Sequence, residues 1–154
     1  MSNAKILSLV LCGVATIGLI DSVYLSYTAL TETSIKCFIT HGCDTVAQSP
    51  YSKVAGIPLA VYGVIYYVGM IVISALSGFL SHIVPQVLRQ KLPLLVFVGG
   101  CTGVVFSLYF IFVQAVLIKA MCIYCLISAL CTGALFILSA VYYRKVRPQS
   151  PVVQ

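Results

Sequence analysis

Charged residues are scarce in this 154-residue chain: they make up 8% of it, whereas hydrophobic residues make up 61%. The mean hydropathy is +1.11. A soluble domain of this size has too small an interior to bury so many apolar side chains, so the composition excludes that class and predicts a membrane protein. Tryptophan is absent as well, which leaves tyrosine to anchor the chain at the membrane surfaces. The candidate anchors are Tyr27, Tyr51, Tyr142 and Tyr143.

Four apolar runs are long enough to span a bilayer, which takes roughly 20 residues per helix. They cover residues 6–29, 56–80, 92–118 and 121–143. A large loop, residues 31–55, joins the first two runs, and the other connections are short. The sequence therefore predicts an all-α membrane protein, a bundle of four transmembrane helices that forms a single domain over residues 1–154.

Acidic residues are the scarcest charged group: the chain has 3 of them against 9 lysines and arginines, for a net charge of +6. The 81–91 loop and the two ends of the chain carry lysine and arginine but no carboxylate. The positive-inside rule then predicts that both termini and this loop are cytoplasmic, and that the 31–55 loop faces outward from a plasma or inner membrane. The positive charge is thus a topology signal. It predicts contact with lipid and does not indicate a nucleic-acid partner.

The chain has 7 cysteines. Three lie within predicted helices, where cysteine is most often a small packing residue: Cys12, Cys101 and Cys131. The others form two pairs on the predicted outer side, Cys37 with Cys43 in the loop and Cys122 with Cys125 at the start of the fourth helix. That side of the membrane is oxidising. The pairs are therefore structural disulfides, ligands of a soft metal, or redox-active thiols.

The spacing of Cys122 and Cys125 favours the redox role, while the other two stay open. Residues i and i+3 share one helix face, so both thiols meet within a single turn and need no staple. Cys122 falls in the first turn, where backbone N–H groups and the positive end of the helix dipole stabilise a thiolate. Cys125 lies about 4.5 Å deeper in the apolar layer. Such a dithiol can pass electrons from a disulfide relay in water to a two-electron acceptor in lipid, for which a quinone is the candidate.

The main alternative is a four-helix membrane protein that handles or transports a metal, with the paired cysteines as ligands. It predicts stoichiometric binding of zinc or copper and no reduction of quinone. Such a site is expected to include methionine or histidine ligands beside the cysteines.

Five further residues have candidate roles. Phe106 and Phe110 recur at helical spacing in the third helix, where they contact a quinone or pack the bundle. Gln114, near the outer end of that helix, donates to a quinone carbonyl or reaches the lipid headgroups. Asp21 is an intramembrane carboxylate, which relays a proton or pairs with a buried hydroxyl. His41 tunes the loop thiolates or is simply solvated.

Several ordered motifs carry a resemblance to a known family. "YLSYTAL" ends the first helix, Cys37-x5-Cys43 precedes "DTVAQSPYSKVAGIPLAVYG", and "CIYC" opens the fourth helix. In these motifs, over nearly the whole chain, the sequence resembles the bacterial form of the vitamin K epoxide reductase (VKOR) family. Disulfide bond protein B also has four helices and two cysteine pairs, but its pairs come in the opposite order.

The resemblance implies a role for each of the four outer cysteines. Cys125 reduces the quinone, and Cys122 exchanges with the loop. Cys43 attacks the Cys122–Cys125 disulfide, and Cys37 receives electrons from a thioredoxin-like or DsbA-like protein. The electron acceptor it implies is menaquinone, ubiquinone or a similar quinone. Because the chain ends soon after the fourth helix, the partner is expected to be a separate protein on the outer face.

The quinone pocket that the resemblance implies includes Ser49 and Ile57, from the segment that caps it, and Ala129 of the fourth helix. The animal enzymes carry a tyrosine at the position of Ala129. The resemblance therefore implies a quinone, rather than its epoxide, as the substrate of this chain.

Overall fold

The computed structural model describes residues 3–31, 33, 42–80 and 82–146. Within these residues, 4 helices are long and apolar enough to cross a membrane, which confirms the predicted all-α membrane bundle. The elements in chain order are α1 (Asn3–Leu30), α2 (Gly42–Ala47), a 3-10 turn (Pro50–Ser52), β1 (Lys53–Val54), β2 (Ile57–Pro58), α3 (Leu59–Gly78), α4 (Gln86–Phe112), a π-helical segment (Val113–Ile118) and α5 (Ile123–Val146).

The observed helix ends differ from the ends of the apolar runs. α4 begins at Gln86 rather than at residue 92, directly after Pro85, whose φ of −53° suits a helix start. An apolar run marks only the part of a helix that lies in lipid, so the polar first turns of α4 were missed. α5 begins at Ile123 rather than at residue 121, so Cys122 immediately precedes the helix.

Part of the predicted loop is folded. After α2 and the 3-10 turn, β1 and β2 form a short antiparallel hairpin in which Val54 pairs with Ile57. The two residues of its turn, Ala55 and Gly56, have φ angles of 51° and 81°. A type I′ turn requires positive φ at both positions, which Gly56 adopts without strain. The hairpin leads directly into α3 and so fixes this segment against the end of the bundle.

The bundle is held by apolar packing and by hydrogen bonds between helices. α1 packs against α3 and α5, and α4 packs against α5 and α3. Because lipid tails are as apolar as leucine, close packing and polar contacts between helices decide which faces meet. The Ser8 hydroxyl of α1 donates to the carbonyl of Ser74 in α3 at 2.7 Å. The buried core consists of Leu11, Ala15, Tyr67, Met70, Val96, Cys131, Leu135 and Tyr142.

Tyr142 corrects one expectation. It was predicted as an anchor at the membrane surface, but it is 1% exposed, and its hydroxyl shares a 2.7 Å hydrogen bond with Ser77 of α3. Tyr27, by contrast, is 65% exposed. The position of a tyrosine along a helix gives its depth, whereas its rotation about the helix axis depends on which neighbouring helix it faces.

Candidate active site

Cys43 and Cys122 are buried against each other. They form a small core of their own, to which Leu25 of α1 and Cys125 of α5 add contacts. Gly42 makes this approach possible, because a Cβ atom at its position would lie 2.6 Å from the carbonyl oxygen of Met121. The first residue of α2 therefore sits directly on the backbone that precedes Cys122. This places a loop cysteine against the outer member of the CxxC pair.

Cys43 is held in a disulfide bond. The other cysteines that the structure describes are free thiols: Cys12, Cys101, Cys122, Cys125 and Cys131. Cys37 and His41, both predicted to act in the loop, lie outside the described residues. The site thus pairs an oxidised loop cysteine with a reduced CxxC motif, the two halves that an exchange reaction needs.

Gln114 holds the segment that carries Cys122. It is 4% exposed, and its side-chain Oε1 accepts a hydrogen bond from the Cys122 backbone N–H at 3.0 Å. Its backbone carbonyl accepts a second bond from the N–H of Ala120 at 3.2 Å. The chain can turn back on Gln114 in this way because Lys119 adopts a left-handed conformation, with φ of 55°. Gln114 therefore lies inside the protein and does not reach the headgroups.

The surroundings of Cys122 favour its thiolate. A hydrogen bond from the Cys125 thiol lowers the pKa of Cys122 to about 7, and the backbone N–H groups of Cys125 and Tyr124 act in the same direction. Burial and the negative charge of Asp21 oppose them. This agrees with the thiolate expected at the start of a helix. Cys122 is the more acidic member of a pair whose other thiol acts as its hydrogen-bond donor.

A cavity of about 710 Å³ opens beside the pair. Cys43, Cys122 and Cys125 all line it, and its wall is mostly apolar. Its volume is within the range of small-molecule sites, on the order of 300–1,000 Å³. The loop cysteine and both members of the CxxC pair thus border one mostly apolar space between the helices.

Most of the predicted quinone-site residues line this cavity: Ser49, Phe106, Phe110, Gln114 and Ala129. Ile57 does not, although it was predicted to. Ile57 is 45% exposed, whereas its neighbour Pro58 is buried and lines the cavity. Successive residues of a strand face opposite sides, so the register of the hairpin turns Ile57 away from the cavity.

Sequence reasoning missed several polar residues of the cavity, among them two tyrosines and a serine. Tyr66 and Tyr67 of α3 line the cavity, as does Ser128 of α5. The Tyr67 hydroxyl lies 2.8 Å from the Ser128 hydroxyl and donates to the Ser128 carbonyl at 2.9 Å. Apart from their polar groups, nothing in the sequence distinguishes these three residues from residues that only pack the bundle. Their place in the site depends on the facing of α3 toward α5.

Comparison with known proteins identifies the family of the chain. The profile of the Vitamin K epoxide reductase family matches residues 9–140, which is most of the chain.

The chain belongs to the vitamin K epoxide reductase family.

A similar curated protein is the thiol-disulfide oxidoreductase LTO1 of Arabidopsis thaliana, which is 33% identical over 125 residues. The match covers 79% of this chain but only 32% of the plant protein. This VKOR-family chain therefore spans about a third of the length of that relative. The match confirms the resemblance drawn from the cysteine order, and the catalytic role of each cysteine stays a prediction.

Proposed function

We propose that this VKOR-family chain is a membrane thiol–disulfide oxidoreductase that forms disulfides and passes the electrons to a quinone. The observation that carries this proposal is the packing of Cys43 against Cys122 at the wall of a cavity that Cys125 also lines. The contact between Cys43 and Cys122 suits disulfide exchange with the loop. The position of Cys125 in the cavity wall suits electron transfer to an acceptor that enters from lipid.

The first half of the reaction is disulfide exchange. A thioredoxin-like dithiol reduces the loop disulfide. Cys37 is the proposed partner of Cys43 in that disulfide, and its sulfur is the one that the dithiol is proposed to attack. The released Cys43 thiolate attacks Cys122 of the oxidised pair, and Cys125 leaves as the thiolate. Attack at Cys122 is supported by its contact with Cys43. Cys37 then resolves the mixed disulfide, so that the loop ends oxidised and the CxxC pair ends reduced.

The second half returns the CxxC pair to its disulfide. A bound quinone would supply an acceptor for two electrons and two protons. The described residues fit such a molecule: the cavity wall is mostly apolar, and Gln114 and Ser128 provide polar groups beside Cys125. Phe106 and Phe110 would pack on the ring. The acidity of Cys122 would supply a thiolate beside Cys125, and the Cys122–Cys125 bond would form as two electrons leave the pair for the acceptor.

The metal-handling alternative has less support. A cysteine that is already in a disulfide, as Cys43 is, offers no thiolate for a metal.

Anaerobic quinol formation tests the proposal. Purified protein is mixed with a short-chain soluble quinone and either dithiothreitol or a reduced thioredoxin-like protein, and the quinol absorbance is followed. Cys122→Ser and Cys125→Ser should abolish both reactions, whereas Cys101→Ser, which changes a cysteine outside the site, should keep both. Cys37→Ala should lose only the protein-driven reaction and accumulate a Cys43–Cys122 disulfide, detectable by non-reducing peptide mapping. Zinc or copper binding without quinol formation would favour the alternative.

A further inference from the structure

Asp21 is a buried carboxylate in the apolar part of α1. It is 9% exposed, and its Oδ2 atom has no hydrogen-bond partner within the described part of the chain. A buried charged group without a partner is costly, so such a carboxyl is expected to hold a proton for part of its time. For this oxygen, the structure therefore does not support the alternative in which Asp21 pairs with a buried hydroxyl.

The packing of α1 directs Asp21 toward the cysteines. Leu25 follows Asp21 by one helical turn on the same face, and it packs on the core of Cys43 and Cys122. One turn in the other direction, Gly18 lies against the ring of Tyr67, since a Cβ at Gly18 would overlap that ring. Asp21 thus lies between the cysteine core and Tyr67.

The titratable groups that interact with Asp21 come from α3, from α5 and from the residue just before α5. They are Tyr67, Cys122, Tyr124, Cys125 and Cys131, each of which interacts electrostatically with its carboxyl group. No lysine or arginine is among the described groups that do so. A negative charge on Asp21 opposes a thiolate on Cys122. The two groups therefore compete for one negative charge in a poorly solvated space.

We propose that Asp21 holds the proton that Cys122 gives up when the pair is reduced, and returns it when the pair is oxidised. This inference rests on the proposed function. The reduced site is then a Cys122 thiolate, a Cys125 thiol and a protonated Asp21. Oxidation forms the Cys122–Cys125 bond, sends two electrons to the acceptor, and releases two protons to it, one from Cys125 and one from Asp21. Reduction by a dithiol, which brings two electrons and two protons, restores the starting state.

The proton passes between Asp21 and the cavity by way of the thiols. Ser22, the next residue after Asp21, lines the cavity, as do Cys122 and Cys125. Asp21 itself is absent from the described cavity wall. It therefore acts through the thiols rather than by touching the acceptor. The net charge of the site stays at one negative charge in both redox states, which avoids drawing protons from water into the membrane.

Proton counting in quinone-free protein tests the inference. In a Cys37→Ala, Cys43→Ala background, excess dithiothreitol reduces only the CxxC pair, at pH 8 in weak buffer with a pH indicator. The background protein should release almost no proton, whereas addition of Asp21→Asn should cause release of about one proton per disulfide. Glu32→Gln, which removes a carboxyl of the loop instead, should behave like the background. Release of one proton with Asp21 present overturns the inference, and this result is independent of quinone.

Quinol formation in the full chain gives a second readout. Asp21→Asn should slow the dithiothreitol-driven rate about a hundredfold, increasingly so as the pH rises, and Asp21→Glu should restore most of it. Equal losses in both variants would mark Asp21 as a packing residue and overturn the inference. If Asp21→Asn does not fold, the proton count on the background protein and on Asp21→Glu still decides. A wild-type chain that forms no quinol contradicts the proposed function instead.

Discussion

Cys122 draws its acidity from residues that are close in sequence. The Cys125 thiol, one turn later, is the largest cause, and two backbone N–H groups of the same turn add to it. The burial that excludes water from Cys122 works against the thiolate. The local hydrogen bonds outweigh this penalty, so the reactive form of the residue exists near neutral pH although the side chain is only 2% exposed.

The pH dependence of Cys122 should follow from this balance. The thiolate is the reactive form, and the pKa is lowered from 9.0 to about 7. Alkylation of Cys122 in the reduced protein should therefore rise through about pH 7 and be lost below it. Cys125→Ala removes the main donor and should move the midpoint up toward 9, as followed by peptide mass spectrometry from acidic to alkaline pH. Cys101→Ala should leave the midpoint in place. An unmoved midpoint in Cys125→Ala would assign the acidity to another cause.

Gln114 shows how a single buried amide can position a reactive group. Its Oε1 atom satisfies the Cys122 N–H, which precedes α5 and has no place in the hydrogen-bond ladder of that helix. Gln114 and Cys125 both line the cavity. Gln114 therefore links the end of the third span to the segment that carries the pair.

Gln114→Leu should destabilise the protein by about 1–3 kcal/mol, because it leaves the buried Cys122 N–H without an acceptor. The measurement is the free energy of unfolding in detergent micelles, together with the rate of dithiothreitol-driven quinol formation, which should also fall. Gln90→Leu, the same change at an exposed position of α4, is the matched control and should alter neither. Equal effects of the two substitutions would show that the Cys122 N–H does not depend on Gln114.

At the scale of elements, α2 is the part that couples the loop to the bundle. It is a helix of 6 residues and cannot be stable alone in water. It is held instead by the burial of Cys43 and by the contact of Gly42 with the Met121 backbone. The proposed exchange between Cys43 and Cys122 therefore depends on how closely α2 can approach the start of α5.

Gly42→Ala should separate the two halves of the reaction. The added Cβ would lie 2.6 Å from the Met121 carbonyl oxygen, so α2 must move away from α5. Oxidation of a thioredoxin-like partner should fall about a hundredfold, as expected for a misplacement of about 1 Å, while quinol formation driven by dithiothreitol continues. Gly13→Ala is the control, because its Cβ meets nothing within 4 Å. Undiminished oxidation of the partner in Gly42→Ala would argue against exchange through this contact.

At the scale of the whole molecule, the four spans place the cysteine pair at one end of the bundle. The end that carries α2 and the hairpin is the one that the lysine and arginine distribution assigns to the outer face. The core of the bundle lies toward the other end, where Ser8, Ser74 and Tyr142 are buried. The cysteine pair and most of the buried core thus lie toward different ends of the bundle.

The orientation can be tested with cysteine reporters in intact cells. Lys53→Cys lies in the exposed hairpin, and Val87→Cys lies at the start of α4, where the native side chain is 72% exposed. A membrane-impermeant maleimide should label the first reporter in intact cells and the second only after permeabilisation. The wild-type chain gives the background from its own thiols. Labelling in the opposite order would reverse the predicted topology, and with it the proposed oxidising environment of the loop.

The sequence by itself determined the class and the spans, and it predicts the redox-active pair. Every backbone polar group in lipid must form its hydrogen bond within its own helix. A span is therefore one continuous apolar helix, and the hydropathy that predicts it depends only on neighbouring residues. The i, i+3 spacing of Cys122 and Cys125, and the start of a helix beside them, are local features too. The order of the cysteine motifs was enough to indicate the family, which the family profile confirms.

Only the tertiary structure decided which residues of different helices meet. Three interactions join distant segments of the chain in this way: the contact of Cys43 with Cys122, the hydrogen bond from the Cys122 N–H to Gln114, and the electrostatic interaction of Asp21 with Cys122. Rotation of an apolar helix about its axis leaves hardly any trace in its sequence, because its lipid-facing and protein-facing sides are equally apolar. Small residues and buried hydroxyls set that rotation, and their partners become known only when the helices are packed.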